Sequence, residues 1–229
     1  MSADQLSFDD YRRHTGRGGP RAGAGRPRGR RSIVYHVRRE QMPRDCPAHV
    51  TLRIREGLPS LRRLSFVKEL RRSFAAACER GDFRVTQFSV QRDHLHLLVE
   101  AAGKHALGRG MKSISARVAR AVNRVFRQSG AVLLGRYHVR ALRTPREVRN
   151  ALAYVLLNAR KHWRQRTGVA PPMKLDEASS AAWFDGWRRR RWPLPSADRP
   201  PIAPPRTWLL RAGWRRHGLL DPSEVPGQR

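Results

Sequence analysis

The sequence has few acidic side chains: 18 Asp and Glu stand against 48 Lys and Arg, so that the formal net charge of the 229 residues is +30. Nearly all of the excess is arginine, whose planar guanidinium matches phosphate oxygens two at a time. A charge of one sign costs self-repulsion that a polyanion relieves. A GC-rich genome would raise the arginine content, but it would not remove acidic residues. The imbalance therefore predicts nucleic acid as the partner, rather than a small-molecule substrate, with salt-sensitive binding.

Cysteine and long apolar runs are also scarce. Cys46 and Cys78 do not form a C-x-x-C pair, which argues against a cysteine metal site. Their presence leaves a disulfide open, although a reduced protein is the simpler interpretation. No apolar run approaches the roughly 20 residues that span a membrane, and the first residues lack the apolar stretch of a signal peptide. We expect a cytoplasmic, nucleoid-associated protein that does not bind a membrane.

Composition divides the chain into residues 1–46, 47–168 and 169–229. Residues 16–31 contain Gly, Pro and Arg with almost nothing apolar, so we expect residues 1–46 to be a basic and mostly disordered arm. The sequence GRPRGR at 25–30 loosely resembles an AT-hook, but an electrostatic tether is the simpler interpretation. Three arginines of this arm are predicted to contact DNA, namely Arg26, Arg28 and Arg30.

Hydrophobic residues make up 39% of the sequence, enough for a core within 47–168. Apolar residues alternate as in strands over 49–54, 83–91, 94–101 and 131–142, and they recur at helical spacing over 61–80 and 105–127. A third helix begins at Thr144, since Thr144, Pro145 and Glu147 form a capping box with proline at the first helical position. The order β-α-β-β-α-β predicts an α+β, ferredoxin-like core with an antiparallel sheet, followed by this helix.

Two further stretches are rich in arginine. Within 105–127, one helix face carries arginine at three- and four-residue steps, which would suit a phosphate backbone or equally a solvated surface: Arg117, Arg120, Arg124 and Arg127. Residues 169–229 are rich in Pro, Trp and Arg, and their weak periodicity does not predict a second domain. We expect this extension to pack partly on the core or to fold on DNA.

The residues with the clearest chemical signature are His94 and His96 in a predicted strand. Residues two apart in a strand point to the same side, so the two imidazoles could bind one divalent metal with a third ligand from elsewhere. The pair alone is equally compatible with two ordinary histidines. Glu100 lies on the same strand face, but it is four residues from His96 and is a weak candidate ligand.

The third helix strengthens the interpretation of the histidine pair. One of its faces presents polar residues at every fourth position: Asn150, Tyr154, Asn158 and His162. If this face lies against the His94–His96 strand, one site gains a phenol and an amide oxygen. Asn158 could then be the third ligand, since an amide carbonyl suits magnesium or manganese.

The combination of Asp93-His94-Leu95-His96 with Tyr154-Val155-Leu156-Leu157-Asn158 resembles the single-tyrosine HUH transposases. These include the insertion-sequence-200-like enzymes and the REP-associated tyrosine transposases, and the resemblance extends from about 47 to 166. Gly135-Arg136-Tyr137-His138 is similar to that family's strand before the tyrosine helix. One residue departs from the insertion-sequence members, which carry Gln where this chain has Asn158.

The resemblance implies metal binding by His94, His96 and Asn158 and nucleophilic attack by Tyr154 on a DNA phosphate. The product would be a 5′-phosphotyrosine and a free 3′-OH, and the substrate would be single-stranded or hairpin DNA with repeats. The enzyme would act as a monomer or a homodimer, and the alternative is a DNA-binding relative that no longer cleaves. Tyr137 is the rival nucleophile, although its alternation with Val139 favours packing.

Overall fold

A five-stranded sheet in the order β2-β3-β4-β1-β5, with every neighbouring pair antiparallel, organises the protein. The computed structural model describes Pro43, residues 46–189, Pro195 and residues 199–227, so the predicted contacts of Arg26, Arg28 and Arg30 lie outside the described residues. The strands are β1 (Ala48–Arg53), β2 (Glu79–Arg80), β3 (Phe83–Val90), β4 (His94–Ala101) and β5 (His138–Ala141).

Helices α1 (Leu64–Ala75) and α2 (Lys104–Phe126) follow β1 and β4. Leaving the short β2 aside, this is the predicted α+β, ferredoxin-like arrangement.

The two faces of the sheet differ in polarity because strand side chains alternate. On one face, Val50 and Leu97 are buried together with Phe66 of α1 and Ile114 of α2. The other face is covered by α3 (Pro145–Thr167), and on it Leu98 packs against apolar residues of α3. His94 and His96 share this second face with Leu98, as period two requires. The polar residues of β4 are therefore enclosed between the sheet and α3.

The start of α3 is fixed by the predicted capping box. Thr144 Oγ1 accepts a hydrogen bond from the Glu147 backbone N–H at 3.2 Å, and Glu147 Oε2 accepts one from the Thr144 N–H at 3.2 Å. Pro145 occupies the first turn, and Gly168 ends the helix with a φ of 71°. Because Gly adopts a positive φ without strain, the chain can leave the helix at that point.

Two predicted elements are shorter than the sequence pattern indicates. The first helix covers Leu64–Ala75 rather than 61–80, because Glu79–Arg80 pairs with β3 as a short strand and Gly81 turns the chain between them with a φ of 49°. The predicted strand 131–142 is reduced to His138–Ala141, since β1 offers partners only at Ala48–Thr51. Upstream, Leu133 makes an isolated bridge to Ile54.

The described part of the C-terminal extension lies against the outer edge of β3. Backbone bonds join Val90 N–H to the Ala178 carbonyl at 2.7 Å, Ser180 N–H to the Phe88 carbonyl at 2.9 Å, and Ala203 N–H to the Val85 carbonyl at 2.8 Å. These bonds cover a strand edge that would otherwise expose unpaired amides. Further along, Trp187, Trp214 and Leu220 are buried in one cluster with the apolar face of α3.

The two cysteines and the longer helices bear on the expectations of a reduced protein and of no membrane span. Cys46 and Cys78 are both free thiols. Within the described ranges, no helix combines the length and apolar character needed to cross a membrane.

Candidate functional site

His94 and His96 converge on one point in front of β4. Their Nε2 atoms lie 3.0 Å apart, and the two rings are nearly perpendicular at 82°. Two nitrogens bound to one cation at about 2.1 Å and at a right angle would be separated by about 3.0 Å. The spacing of the histidine pair therefore fits two ligands of one octahedral ion.

The opposite ring nitrogens have partners that orient the imidazoles. Nδ1 of His94 donates to Asp93 Oδ1 at 2.7 Å, and this hydrogen bond holds the pKa of the Asp93 carboxyl below its usual range. Nδ1 of His96 lies 3.1 Å from His49 Nε2 and 3.3 Å from Thr51 Oγ1. When Nδ1 of each ring donates to these partners, both Nε2 atoms keep a lone pair directed at the same point. Facing lone pairs repel each other unless a cation lies between them.

Burial keeps the inner histidines neutral. Loss of water around the ring lowers the pKa of His96 to about 3, with His49 and His94 adding to the effect. Burial likewise lowers the pKa of His49 to about 4, assisted by His138 and Arg140. Neutral imidazole is the form that coordinates a metal, so these residues need not lose a proton at neutral pH.

Tyr154 of α3 lies directly over the histidines. Its ring is edge-on to the ring of His96, with the centroids 5.0 Å apart, and its centroid is 5.8 Å from that of His49. Lys161 Nζ is 5.4 Å from the Tyr154 centroid and places a positive charge beside the phenol. Tyr137, in contrast, packs against the core on the α1 and α2 side. The structure thus brings Tyr154, and not Tyr137, to the histidine pair.

Asn158 is a buried residue of α3, one turn after Tyr154 and one turn before His162. Only 1% of its surface is exposed, and neither Oδ1 nor Nδ2 has a hydrogen-bond partner within the described parts of the chain. An unpaired buried amide is costly, and coordination of a cation by Oδ1 would satisfy its acceptor.

A third ligand beside His94 and His96 would have to be a side chain other than His, Cys, Asp or Glu, judged from the described residues. Among the residues that the structure describes, no three His, Cys, Asp or Glu side chains are grouped so as to hold a metal ion. A set of two histidine nitrogens and one amide oxygen is a different kind of group, because its third member is not His, Cys, Asp or Glu. The two convergent histidine nitrogens and the unpaired amide of Asn158 are chemically suited to a hard divalent cation.

A cleft of about 510 Å³ opens beside Tyr154. His49 and Tyr154 line it, together with the basic residues Arg140 and Arg149 and the acidic residue Glu147. The last described residues, including Glu224, close one side, where Glu224 accepts two hydrogen bonds from Arg149 at 2.7 and 3.0 Å. The cleft is large enough for a nucleotide next to the phenol.

Glu100, the weak candidate ligand, is engaged elsewhere. Its carboxylate accepts hydrogen bonds from the Arg206 N–H at 2.8 Å, the Thr207 N–H at 2.8 Å and the Thr207 hydroxyl at 2.7 Å. These bonds tie the C-terminal extension to the end of β4. Glu100 therefore serves the attachment of that segment.

The arginine stripe of α2 is not brought to the histidine site, because α2 packs on the opposite face of the sheet. Arg124 forms an ion pair of 2.7 Å with Glu69, and Arg117 donates to the Ser73 carbonyl at 3.5 Å, so both are turned toward α1. Arg120 and Arg127 are exposed. DNA binding by this stripe stays a prediction.

His49 is the site residue that the sequence pattern missed. The alternation in β1 indicates that His49 and Thr51 share a face, and both could have been noted on that ground. Their proximity to His96 depends on the register, in which Thr51 is opposite His96 and His49 is opposite Leu98. No spacing within the chain reveals that register.

Comparison with known proteins finds one family and one solved structure that are similar to parts of this chain. A solved structure of a REP-associated tyrosine transposase bound to a REP hairpin is similar to 56% of this chain and 74% of that chain, with 17% identity and a TM-score of 0.46. None of the curated proteins matches this chain significantly. The family described as Transposase IS200 like matches residues 44–139, which include His94 and His96 and end before α3. The match covers less than half of the chain, and it shows that this segment is similar to the IS200-like transposases.

Proposed function

We propose that the protein is a single-strand DNA endonuclease and strand transferase of the HUH tyrosine type. The observation that carries the proposal is the position of Tyr154 over the His94–His96 pair of the same chain, at 5.0 Å between the His96 and Tyr154 centroids. The similarity of residues 44–139 to the IS200-like transposases supports DNA transposition as the reaction class. The substrate we propose is single-stranded DNA, with hairpin-forming repeats as the first candidates.

The residues suited to a metal are His94, His96 and Asn158, and magnesium or manganese matches their mixture of nitrogen and amide oxygen. A divalent ion bound there would polarise the scissile phosphate and offset negative charge in the transition state. Asp93, His49 and Thr51 act on the histidines from behind, where they fix the two ring orientations.

Tyr154 supplies the nucleophile in this scheme. Its phenolic oxygen forms a bond to phosphorus while the bond from phosphorus to the 3′ oxygen breaks, and the phenolic proton passes to solvent. The 3′ oxygen takes up a proton and leaves as a free 3′-OH, so the 5′ phosphate remains on Tyr154. Because one phosphate ester replaces another, a second 3′-OH can reverse the step and join strands without ATP.

The decisive experiment is a search for a covalent protein–DNA adduct. The full chain is incubated with end-labelled single-stranded hairpin DNA and manganese or magnesium, and adducts that survive denaturing electrophoresis are counted. We expect an adduct for the wild type and for Tyr137→Phe, whose tyrosine packs away from the site, and none for Tyr154→Phe. The fragment attached to Tyr154 through its 5′ phosphate carries the 3′ end of the substrate. A label at the 3′ end should therefore remain with the protein, and a label at the 5′ end should not.

Two outcomes contradict the proposal in different ways. An adduct that persists in Tyr154→Phe shows that another residue is the nucleophile. Wild-type protein that binds the hairpins but forms no adduct with either metal favours the alternative, a DNA-binding relative of the family without cleavage activity.

A further inference from the structure

The segment Trp208–His217 forms a basic surface outside the matched family segment. It comprises the short helix α4 (Trp208–Arg211) and the 3₁₀ turn Gly213–His217. Leu209, Leu210 and Trp214 anchor it, since they are buried in the cluster that includes the apolar face of α3. The remaining larger side chains of the segment form a surface that we call the tryptophan surface: Trp208, Arg211, Arg215, Arg216 and His217.

Trp208 differs from the buried tryptophans of the extension. Its side chain is 51% exposed, whereas Trp214 is 1% exposed. The ring is nevertheless held in place, because it rests on the backbone of Gly213, where a β-carbon would come within 2.6 Å of Cζ3. The Arg216 guanidinium carbon lies 4.8 Å from the ring centroid. A large aromatic ring that is both exposed and held in position provides a stacking platform for a planar ligand.

The charges around Trp208 point to an anionic ligand. Arg211 and Arg216 have no carboxylate partner within the described residues, whereas Arg215 pairs with Asp185 at 3.1 Å. The Arg216 guanidinium lies over one face of the Trp208 ring, and Arg211 is one helical turn after Trp208, so an exposed aromatic ring is combined with charge complementary to phosphate. Nucleotides carry both a planar base and a phosphate, and a single strand presents its bases unstacked.

The tryptophan surface also connects with the cleft at Tyr154. The carbonyl of Gly218, which directly follows the 3₁₀ turn, accepts a hydrogen bond from Arg149 Nε at 3.4 Å. Arg149 lines the cleft together with Tyr154. Gly218 is two residues from Arg216, and consecutive Cα atoms are about 3.8 Å apart. The backbone of this segment therefore reaches the lining of the cleft two residues after Arg216.

We propose that the tryptophan surface binds an unpaired DNA segment next to the cleaved phosphate, with a base stacked on Trp208 and phosphates contacted by Arg211 and Arg216. The proposal rests on the proposed function for its choice of single-stranded DNA as the ligand. A duplex is a poorer occupant, because its bases are already stacked and expose no face to the indole.

The test is the affinity of the full chain for an oligothymidine of about 16 nucleotides, measured by fluorescence anisotropy at several salt concentrations. We expect Trp208→Ala to weaken binding by about 5- to 100-fold, as for loss of one stacked base, and Trp208→Phe to retain most of the affinity. Arg211→Gln with Arg216→Gln should weaken binding and reduce its salt dependence. The matched control is Trp163→Ala, since Trp163 is 40% exposed and lies at the far end of α3; its affinity should equal that of the wild type.

The proposal is overturned if Trp208→Ala, shown by thermal unfolding to be folded, binds oligothymidine as the wild type does. It is also overturned if Trp208→Ala weakens binding to a fully paired duplex as much as to oligothymidine, since the surface would then contact the duplex backbone. The binding assay involves no cleavage. If the wild type forms no adduct with either metal but Trp208→Ala still weakens oligothymidine binding, the cleavage function is rejected and the surface proposal stands.

Discussion

The ring of Tyr154 meets the ring of His96 edge to face, with the centroids 5.0 Å apart within a single chain. The contact requires α3 to fold back over its own sheet. The Thr144 capping box starts the helix directly after β5, and the burial of Leu152 and Leu156 fixes the face that turns inward. Phenol, histidine pair and Asn158 therefore belong to one chain, and a swapped helix is not required to assemble the site.

A complementation experiment tests this arrangement. Tyr154→Phe retains the histidines and His96→Ala retains the tyrosine, so each protein lacks a different half of the site. Because both halves come from one chain, we expect an equimolar mixture to form no DNA adduct, as with each variant alone. The measurement is the adduct assay on hairpin DNA, with wild-type protein at the same total concentration as the positive control. Recovery of adduct in the mixture would show that Tyr154 serves the histidines of a second copy.

Removal of the Asn158 amide should affect metal binding without lowering the stability of the metal-free protein. Both polar atoms of this buried side chain lack a partner in the described structure, so Asn158→Leu removes an unsatisfied group and keeps a similar volume. Without metal, we expect the free energy of unfolding to stay equal or to rise by about 1 kcal/mol. Manganese should raise the melting temperature of the wild type, and this rise should shrink or vanish in Asn158→Leu.

The opposite pattern would reject Asn158 as a ligand. If Asn158→Leu is strongly destabilised without metal but gains as much from manganese as the wild type, the amide has a structural role. Leu157→Ala serves as the comparison for a neighbouring buried position of α3, since it should lower stability and leave the gain from manganese unchanged.

His49 is expected to act as a positioning residue for His96. Its Nε2 lies 3.1 Å from Nδ1 of His96, which makes it the nearer of the two groups that can accept the Nδ1 proton. We expect His49→Phe to weaken manganese binding by about 10- to 100-fold, the range typical of lost partners behind metal-bound histidines. Isothermal titration with manganese measures the change, and Thr51→Val, which removes the longer contact of 3.3 Å, should have a smaller effect. Equal losses in both variants would show that His49 has no special role.

The sequence was sufficient where the information is local. Period two placed His94 and His96 on one side of a strand, and the Thr144 to Glu147 signature located the start of α3 within the chain. Long-range pairing was not accessible in this way. The place of His49 beside His96 depends on the β1–β4 register, and that register results from the packing of the whole sheet.

The arginines of α2 illustrate the same limit. Their spacing in the sequence gives the face they share, but it does not say what that face meets. In the fold, Arg124 pairs with Glu69 of α1 and Arg117 reaches the Ser73 carbonyl, on the side of the sheet away from Tyr154. The packing of α2 against α1 decides which arginines form contacts within the protein. The periodicity of the sequence does not reveal which segment a helix packs against.

The capping box predicts a specific pH dependence of stability. The Arg143 N–H, the Arg140 guanidinium and the Thr144 N–H hold the pKa of Glu147 below its ordinary value of 4.5. A carboxyl with a lowered folded-state pKa stabilises the fold above its unfolded pKa, and this contribution is lost as pH falls through the folded pKa. We expect the melting temperature of the wild type to fall more steeply below pH 5 than that of Glu147→Gln. Thr144→Ala should cost about 1 kcal/mol at neutral pH.

A final prediction concerns Glu100. Variants of this residue distinguish attachment of the C-terminal extension from metal binding. Its buried carboxylate accepts bonds from the backbone of Arg206 and Thr207, and it lies 3.7 Å from Arg84 Nε. Glu100→Ala leaves the Arg206 and Thr207 donors without their acceptor, while the buried Arg84 keeps its ion pair with Glu79 at 3.2 Å, so we expect a loss of about 3 kcal/mol in urea unfolding. Glu100→Gln keeps the shape and one acceptor oxygen, and should lose less.

The metal response of the Glu100 variants then distinguishes two roles for a carboxylate on the histidine face of β4. If Glu100 only attaches the extension, its substitution lowers the stability of the metal-free and the manganese-bound protein by the same amount, and the gain in melting temperature from manganese is unchanged. If Glu100 is a metal ligand, Glu100→Gln reduces that gain even where the fold is intact. Since three donors of the C-terminal extension already use the Glu100 oxygens, we expect the first pattern, in contrast to the loss of gain predicted for Asn158→Leu.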